Sequence, residues 1–301
     1  MFEKIMNNVK IQKPLVHCIT NSVTMNDCAN AILAVHGSPI MADEIKEVED
    51  ITSICQALVI NIGTLNERTV EAMIKAGQKA NALNHPVILD PVGAGASSFR
   101  SETTFRLLDK IQFSVIRGNV SEIKTVYQGI GTTKGVDADI NDIVNEENLD
   151  ETIDFGPEIF AKMNQIRGLQ DVTVSGNIHY DTASERVFAD LDIIAITGAI
   201  DIIADANHAT IIRNGCSNMS RITGTGCMLS AILGAYVAVN QDSMFDAVSC
   251  TVALMGYSGE LAQQKVQQQD AGTGSLRVYL IDALSTMTAE KLNGGIKIEE
   301  R

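Results

Sequence analysis

Two hydrophobic periods alternate along the chain. Short apolar runs rich in β-branched residues are separated by longer segments whose apolar positions recur every three or four residues, the pattern of strands and crossover helices around a mostly parallel sheet. Leu58-Val59-Ile60-Asn61-Ile62 reads as a buried strand. After Gly63-Thr64, the segment Asn66 to Ala82 places Val70, Met73, Ile74, Gly77 and Ala80 on one helical face. Strand and turn recur in Val87-Ile88-Leu89-Asp90 before Pro91-Val92-Gly93-Ala94-Gly95, and in Ser114-Val115-Ile116-Arg117 before Gly118-Asn119-Val120-Ser121-Glu122. Strand-like runs follow at Val172-Thr173-Val174-Ser175-Gly176 and Arg186-Val187-Phe188-Ala189. The first of these echoes Ile194-Ala195-Ile196-Thr197-Gly198, either as a repeated strand-turn unit or by chance.

In open α/β sheets, ligands bind beyond the carboxyl ends of the strands. Asp90, Arg117, Asn119 and Glu122 all fall there, so they become the polar groups of one candidate site. The stretch Thr223-Gly224-Thr225-Gly226-Cys227-Met228-Leu229-Ser230 adds a second element, a glycine-rich turn running into an apolar helical segment from Ala231 to Val239. Small residues allow close backbone approach, and the unpaired N–H groups and the helix dipole attract an anion such as phosphate. Cys227 stands at the mouth of this trap, where a helix N-terminus favours the thiolate. The alternative is that Cys227 is a small core hydrophobe and the glycines merely end a loop.

Composition narrows the function. The chain has 301 residues, 45% of them hydrophobic, with no Pro-rich or Ser-rich linker, which predicts a single domain over 1–301. A formal net charge of −14 argues against a nucleic-acid or anionic-membrane surface, because both demand a basic footprint. The six cysteines and five histidines are scattered without metal-ligand or redox spacing. No run of eighteen apolar residues and no signal-peptide core is present, so the expectation is a cytoplasmic protein acting on a small molecule. There is no G-x-x-x-x-G-K-[ST], and Gly93-Ala94-Gly95-Ala96-Ser97-Ser98 lacks the third glycine of a dinucleotide fingerprint.

Six motifs in order carry a resemblance: Cys18-Ile19-Thr20-Asn21-Ser22-Val23, Ser38-Pro39-Ile40-Met41-Ala42-Asp43-Glu44, Asn61-Ile62-Gly63-Thr64, Asp90-Pro91-Val92-Gly93-Ala94, Arg117 to Glu122, and Thr223 to Cys227. The set resembles the ribokinase-like kinases, and within them it is most similar to the hydroxyethylthiazole kinase family. The resemblance implies a three-layer α/β/α fold and phosphorylation of the primary hydroxyl of 5-(2-hydroxyethyl)-4-methylthiazole in thiamine salvage, with ATP as co-substrate and Mg²⁺ as cofactor. It implies that Asn21, Val23 and Met41 line the thiazole pocket with Gly224 close to the substrate. Arg117, Asn119, Thr197 and Gly226 would meet ATP, Glu122 and Asp90 would serve the metal, and Cys227 occupies the place of the superfamily's catalytic aspartate. It also suggests a homotrimer with pockets at subunit interfaces. The stretch from Gly156 to Asp192 departs from the pattern and reads as an insertion, which puts the nucleotide-binding Thr-Gly at Thr197-Gly198.

Two other functions stay open on the sequence: a related kinase for a hydroxymethylpyrimidine-type alcohol, and a binding protein without turnover, since the catalytic aspartate is replaced. As a base, a thiol with a reference pKa of about 8.5 is inferior at neutral pH to a fixed carboxylate unless the helix dipole lowers it.

Overall fold

The computed structural model describes residues 2–128, 139, 142–153 and 193–301. The stretch 156–192, read above as an insertion, lies outside the described residues, as do the strand-like runs within it. Among the described residues, nine strands form one sheet in the order β2-β1-β3-β4-β5-β6-β7-β8-β9. The strands β1 (Leu15–Ile19), β2 (Ser38–Ile40), β3 (Ala57–Asn61), β4 (Val87–Asp90), β5 (Val115–Gly118) and β6 (Ile193–Ile196) pair in parallel. The remaining three, β7 (Asp201–Ala204), β8 (Ala209–Ile212) and β9 (Ile298–Glu300), continue the sheet antiparallel.

The parallel strands are buried on both faces. Val16, Cys18, Val59 and Ile88 point into one core, while Leu58, Ile60, Val87 and Leu89 point into the other, as the two-residue period of a strand requires. The first core is covered by α1 (Glu3–Gln12), α2 (Met25–Ala34), α7 (Thr225–Ala238), α8 (Met244–Gln268), α9 (Thr273–Ser285) and α10 (Ala289–Gly295). The second lies under α3 (Val48–Ile54), α4 (Glu67–Ala82), α5 (Ser98–Lys110) and α6 (Val120–Gln128). This is the three-layer α/β/α arrangement that the resemblance implies, around the mostly parallel sheet expected from the alternating periods.

Local chemistry sets the boundaries. Asn66 caps α4 in a reciprocal capping box with Thr69, and Val70, Met73, Ile74, Gly77 and Ala80 form the buried face read from the sequence. Gly77 is required there because the Ile111 side chain packs on its Cα. Helix α7 differs from expectation. It begins at Thr225, inside the glycine-rich stretch, with Gly224 as its left-handed N-cap at φ 84°. Cys227 therefore stands on the helix's first turn. Beyond it, every residue from Met228 to Ala238 is buried, so α7 is apolar all round and sits centrally in its layer. Gly234 lets it lie directly on β1 and β3, where an added Cβ would meet Val59 at 2.6 Å and Val16 at 2.7 Å.

Candidate active site

The parallel strands end at one edge, and their last residues converge under the N-terminus of α7. Asn61 and Asp90 are register partners at the ends of β3 and β4. Asn61 Nδ2 donates to Asp90 Oδ2 at 2.7 Å, and the Ser230 hydroxyl of α7 donates to the same oxygen at 2.7 Å. Arg117, near the end of β5, reaches Asp90 Oδ1 with Nη1 at 3.4 Å and Thr197 Oγ1 with Nη2 at 2.5 Å. Thr197 follows β6, and its N–H donates to the Gly118 carbonyl at 2.9 Å. Four of the predicted residues, Asp90, Arg117, Thr197 and Cys227, thus share one polar neighbourhood, since both Asp90 and Arg117 act electrostatically on the Cys227 thiol.

Gly226 packs against the guanidinium: an added Cβ would stand 2.6 Å from Arg117 Nη1 and 2.7 Å from Nη2. Gly224 packs likewise against the Thr24 side chain, so both glycines serve close approach, and Gly224 also takes a positive φ. Arg117 Nε is buried without a hydrogen-bond partner.

Asn119 and Glu122 form a capping box for α6. Glu122 N–H donates to Asn119 Oδ1 at 2.9 Å, and Asn119 N–H donates to Glu122 Oε2 at 2.8 Å. Glu122 Oε1 also accepts the Gly93 N–H at 2.8 Å, which ties the loop after β4 to α6. Each carboxylate oxygen keeps a lone pair for a further partner. Burial, reinforced by the Asp90 charge and opposed by the Gly93 N–H, Arg117 and the Asn119 N–H, pushes the Glu122 carboxyl up to about 7. Burial also raises the Asp90 carboxyl, against the pull of Arg117, Ser230 and Asn61.

Three participants were not singled out from the sequence: Asn61, Ser230 and Asp201. Asp201, at the start of β7, accepts the Gly198 N–H at 2.8 Å. Its carboxyl is pushed up to about 7 by burial, against that hydrogen bond and Arg117. The available signal was placement, since Asn61 ends its strand as Asp90 does, and Ser230 lies three residues beyond Cys227 on the same helical face.

Asn21, buried at 4% exposure, makes all its polar contacts within the protein, as described below. Val23 is 63% exposed, so it lines no enclosed pocket in the single chain. Met41 follows β2 and packs, partly buried, against the core that holds α7. The expected lowering of the Cys227 pKa is corrected by the structure. Burial and then the Asp90 charge raise the thiol, while Thr24, Asn61 and Arg117 pull the other way. Desolvation of the charged form is the largest of these causes.

A doubly covered parallel sheet, whose strand ends present an arginine and acidic groups to a glycine-opened helix, defines a ribokinase-like small-molecule kinase. The model of the Hydroxyethylthiazole kinase family matches residues 6–152 and 157–290, and the chain belongs to that family. It is 48% identical over 299 residues to a hydroxyethylthiazole kinase of Clostridium acetobutylicum, covering 99% of each chain. A second relative of that name, from Methanobrevibacter smithii, is 39% identical over 98% of this chain and 95% of its own. The solved hydroxyethylthiazole kinase of Pyrococcus horikoshii OT3 superposes with a TM-score of 0.79 at 30% identity, over 100% of this chain and 98% of that one. A Staphylococcus aureus pyridoxal kinase in complex with ADP shares the fold at a TM-score of 0.55 and 16% identity, over 82% of this chain and 88% of its own.

Proposed function

We propose that the protein transfers the γ-phosphoryl group of ATP to the primary hydroxyl of 5-(2-hydroxyethyl)-4-methylthiazole, as part of thiamine salvage. Family membership makes the chain a kinase with ATP as co-substrate. The observation that carries the rest is the first turn of α7, where Gly226 lies against Arg117 and Cys227 lies against Asn21. A phosphate held by the helix N–H groups and Arg117 therefore stands beside the group that receives the hydroxyl proton.

Phosphoryl transfer passes through a loose transition state, so positioning and charge neutralisation carry most of its catalysis. Arg117 and Thr197 hold the ATP phosphates, with Asn119 and Gly226 at their margin. The hydroxyl oxygen forms its bond to the γ-phosphorus as the bond from that phosphorus to ADP breaks, and the hydroxyl proton passes to the thiolate form of Cys227, which becomes a thiol. Among the described residues, no three His, Cys, Asp or Glu side chains gather into a metal cage. Mg²⁺ requires less than that, since one or two carboxylates with phosphate and water complete its shell. Asp90 and Glu122, both oxygen donors near each other, fit that role. When bound there, the ion supplies charge neutralisation on the phosphate oxygens.

Val23, Leu33 and Val278 are exposed at 63%, 56% and 57%, apolar surface that a homotrimer would cover while completing the thiazole pocket with Val23, Met41 and Gly224. Among the described residues, no helix is long and apolar enough to cross a membrane. All six cysteines are free thiols, which suits the reducing cytoplasm. A coupled ADP-release assay with ATP, Mg²⁺ and the thiazole alcohol tests the activity. Release with this alcohol and none with a hydroxymethylpyrimidine is the expected result. No release in protein that binds ATP overturns the reading. Light scattering at a mass of three chains, lost in Val23→Asp, tests the assembly.

A further inference from the structure

The amide of Asn21 has a single permitted orientation. Its Oδ1 accepts the Thr24 backbone N–H at 3.1 Å and the Thr24 hydroxyl at 3.0 Å. A backbone N–H can only donate, so the oxygen must face Thr24 and the nitrogen must face the other way. There, Nδ2 has two acceptors: Asn61 Oδ1 at 3.0 Å and the sulfur of Cys227 at 3.2 Å. Asn61 is locked in turn, because its Oδ1 also accepts the Gly63 N–H at 2.9 Å and its Nδ2 faces Asp90. Gly63 leaves no room for Asn21 to swing away, since an added Cβ there would stand 2.9 Å from the Asn21 side chain.

The sulfur of Cys227 is therefore a hydrogen-bond acceptor. We propose that Asn21 is a positioning residue acting through Cys227, presenting an N–H to the sulfur so that the thiolate is favoured and its remaining lone pairs face the reacting hydroxyl. This rests on the reading of Cys227 as proton acceptor: the thiolate takes the hydroxyl proton and becomes a thiol as the new phosphorus–oxygen bond forms. Asn21 opposes what raises the thiol, namely burial and Asp90 from β4, with Cys28 of α2 also electrostatically coupled to it. Thr24, Asn61 and, from β5, Arg117 also lower the thiol. The role differs from lining a thiazole pocket, because both amide hydrogens are committed within the protein.

The test is the rate at which iodoacetamide alkylates Cys227 at neutral pH in the ligand-free full chain, followed by mass spectrometry, because the thiolate is the reacting form. Asn21→Asp keeps the shape and the Thr24 bonds but replaces the donor by an acceptor. Loss of a hydrogen bond to a charged group predicts a fall of about tenfold. Asn21→Ala, which removes the donor without adding charge, should also slow the reaction, and serves alone if the aspartate variant does not fold. Mere loosening would act in the opposite direction, raising alkylation at Cys227 and at buried Cys28 together. An unchanged or raised rate at Cys227 in folded protein overturns the proposal. Asn21→Ala should also lower kcat in the parent but not in a Cys227→Ser background. The alkylation result stands whether or not the thiazole alcohol is the substrate, so failure of the kinase reading is distinguishable from failure of this one.

Discussion

Gly226 and Arg117 are in face-to-face contact, and no side chain larger than hydrogen fits at position 226 without displacing the guanidinium from Asp90 and Thr197. The contact joins the N-terminus of α7 to the end of β5. Gly226→Ala is thus expected to act on chemistry through Arg117, and displacing the guanidinium from buried Asp90 also costs fold stability. A displacement of this size predicts a fall in kcat/KM for ATP of about a hundredfold. Steady-state kinetics with ATP varied, alongside urea unfolding, check it. An unchanged kcat/KM would mean that Arg117 is not a phosphate ligand.

Glu122 combines two roles that one substitution separates. Glu122→Gln keeps an acceptor for only one of the Gly93 and Asn119 N–H groups, so the N-terminus of α6 should lose about 1–3 kcal/mol. If the charge also organises Mg²⁺, turnover falls far more than thiazole affinity. Calorimetric binding of the alcohol beside kcat decides this. Equal losses of both would leave Glu122 as a structural capping residue alone.

Cys227 separates base catalysis from packing. Cys227→Ser should lower kcat by about a hundred- to ten-thousandfold if the thiol accepts the proton, since a serine hydroxyl is no base at neutral pH. Cys227→Asp places an anion at the entrance of α7, against the Asn21 N–H, and should keep or raise activity. Ser and Asp variants that both match the parent would assign the catalysis to the helix N-terminus and Mg²⁺.

Asp201 gives the fold a pH dependence. Its carboxyl rises from 3.8 to about 7 on folding. Below the lower value both states hold the proton and the residue costs nothing. As pH rises towards 7 the unfolded chain ionises first, so folded stability declines, and above about 7 the penalty is constant. Asp201→Asn keeps the acceptor for Gly198 and removes the charge. Its stability relative to the parent should grow between about pH 4 and pH 7, reaching on the order of 4 kcal/mol, and then level off. Urea unfolding of ligand-free protein across that range checks the slope, and parallel curves would show Asp201 ionised throughout.

The alternation of two hydrophobic periods was enough to place β4 at Val87–Asp90 and the buried face of α4, because both patterns follow from backbone geometry over a few residues. By the same local reasoning, Asp90, Arg117 and Thr197 could be located at strand ends from spacing alone. The glycine-rich stretch was legible as a turn opening an apolar helix, but not the first residue of α7, because a helix that starts on glycines owes its start to packing against Thr24 and Arg117. The antiparallel β7, β8 and β9 were missed: β7 and β8 are as long as β4, and what defines them as strands is pairing with neighbours in the sheet. The orientation of Asn21 and the raised thiol of Cys227 belong wholly to tertiary structure. Asn21 and Cys227 are 206 positions apart, and burial, which decides the charge state of a group, is a property of everything that folds around it.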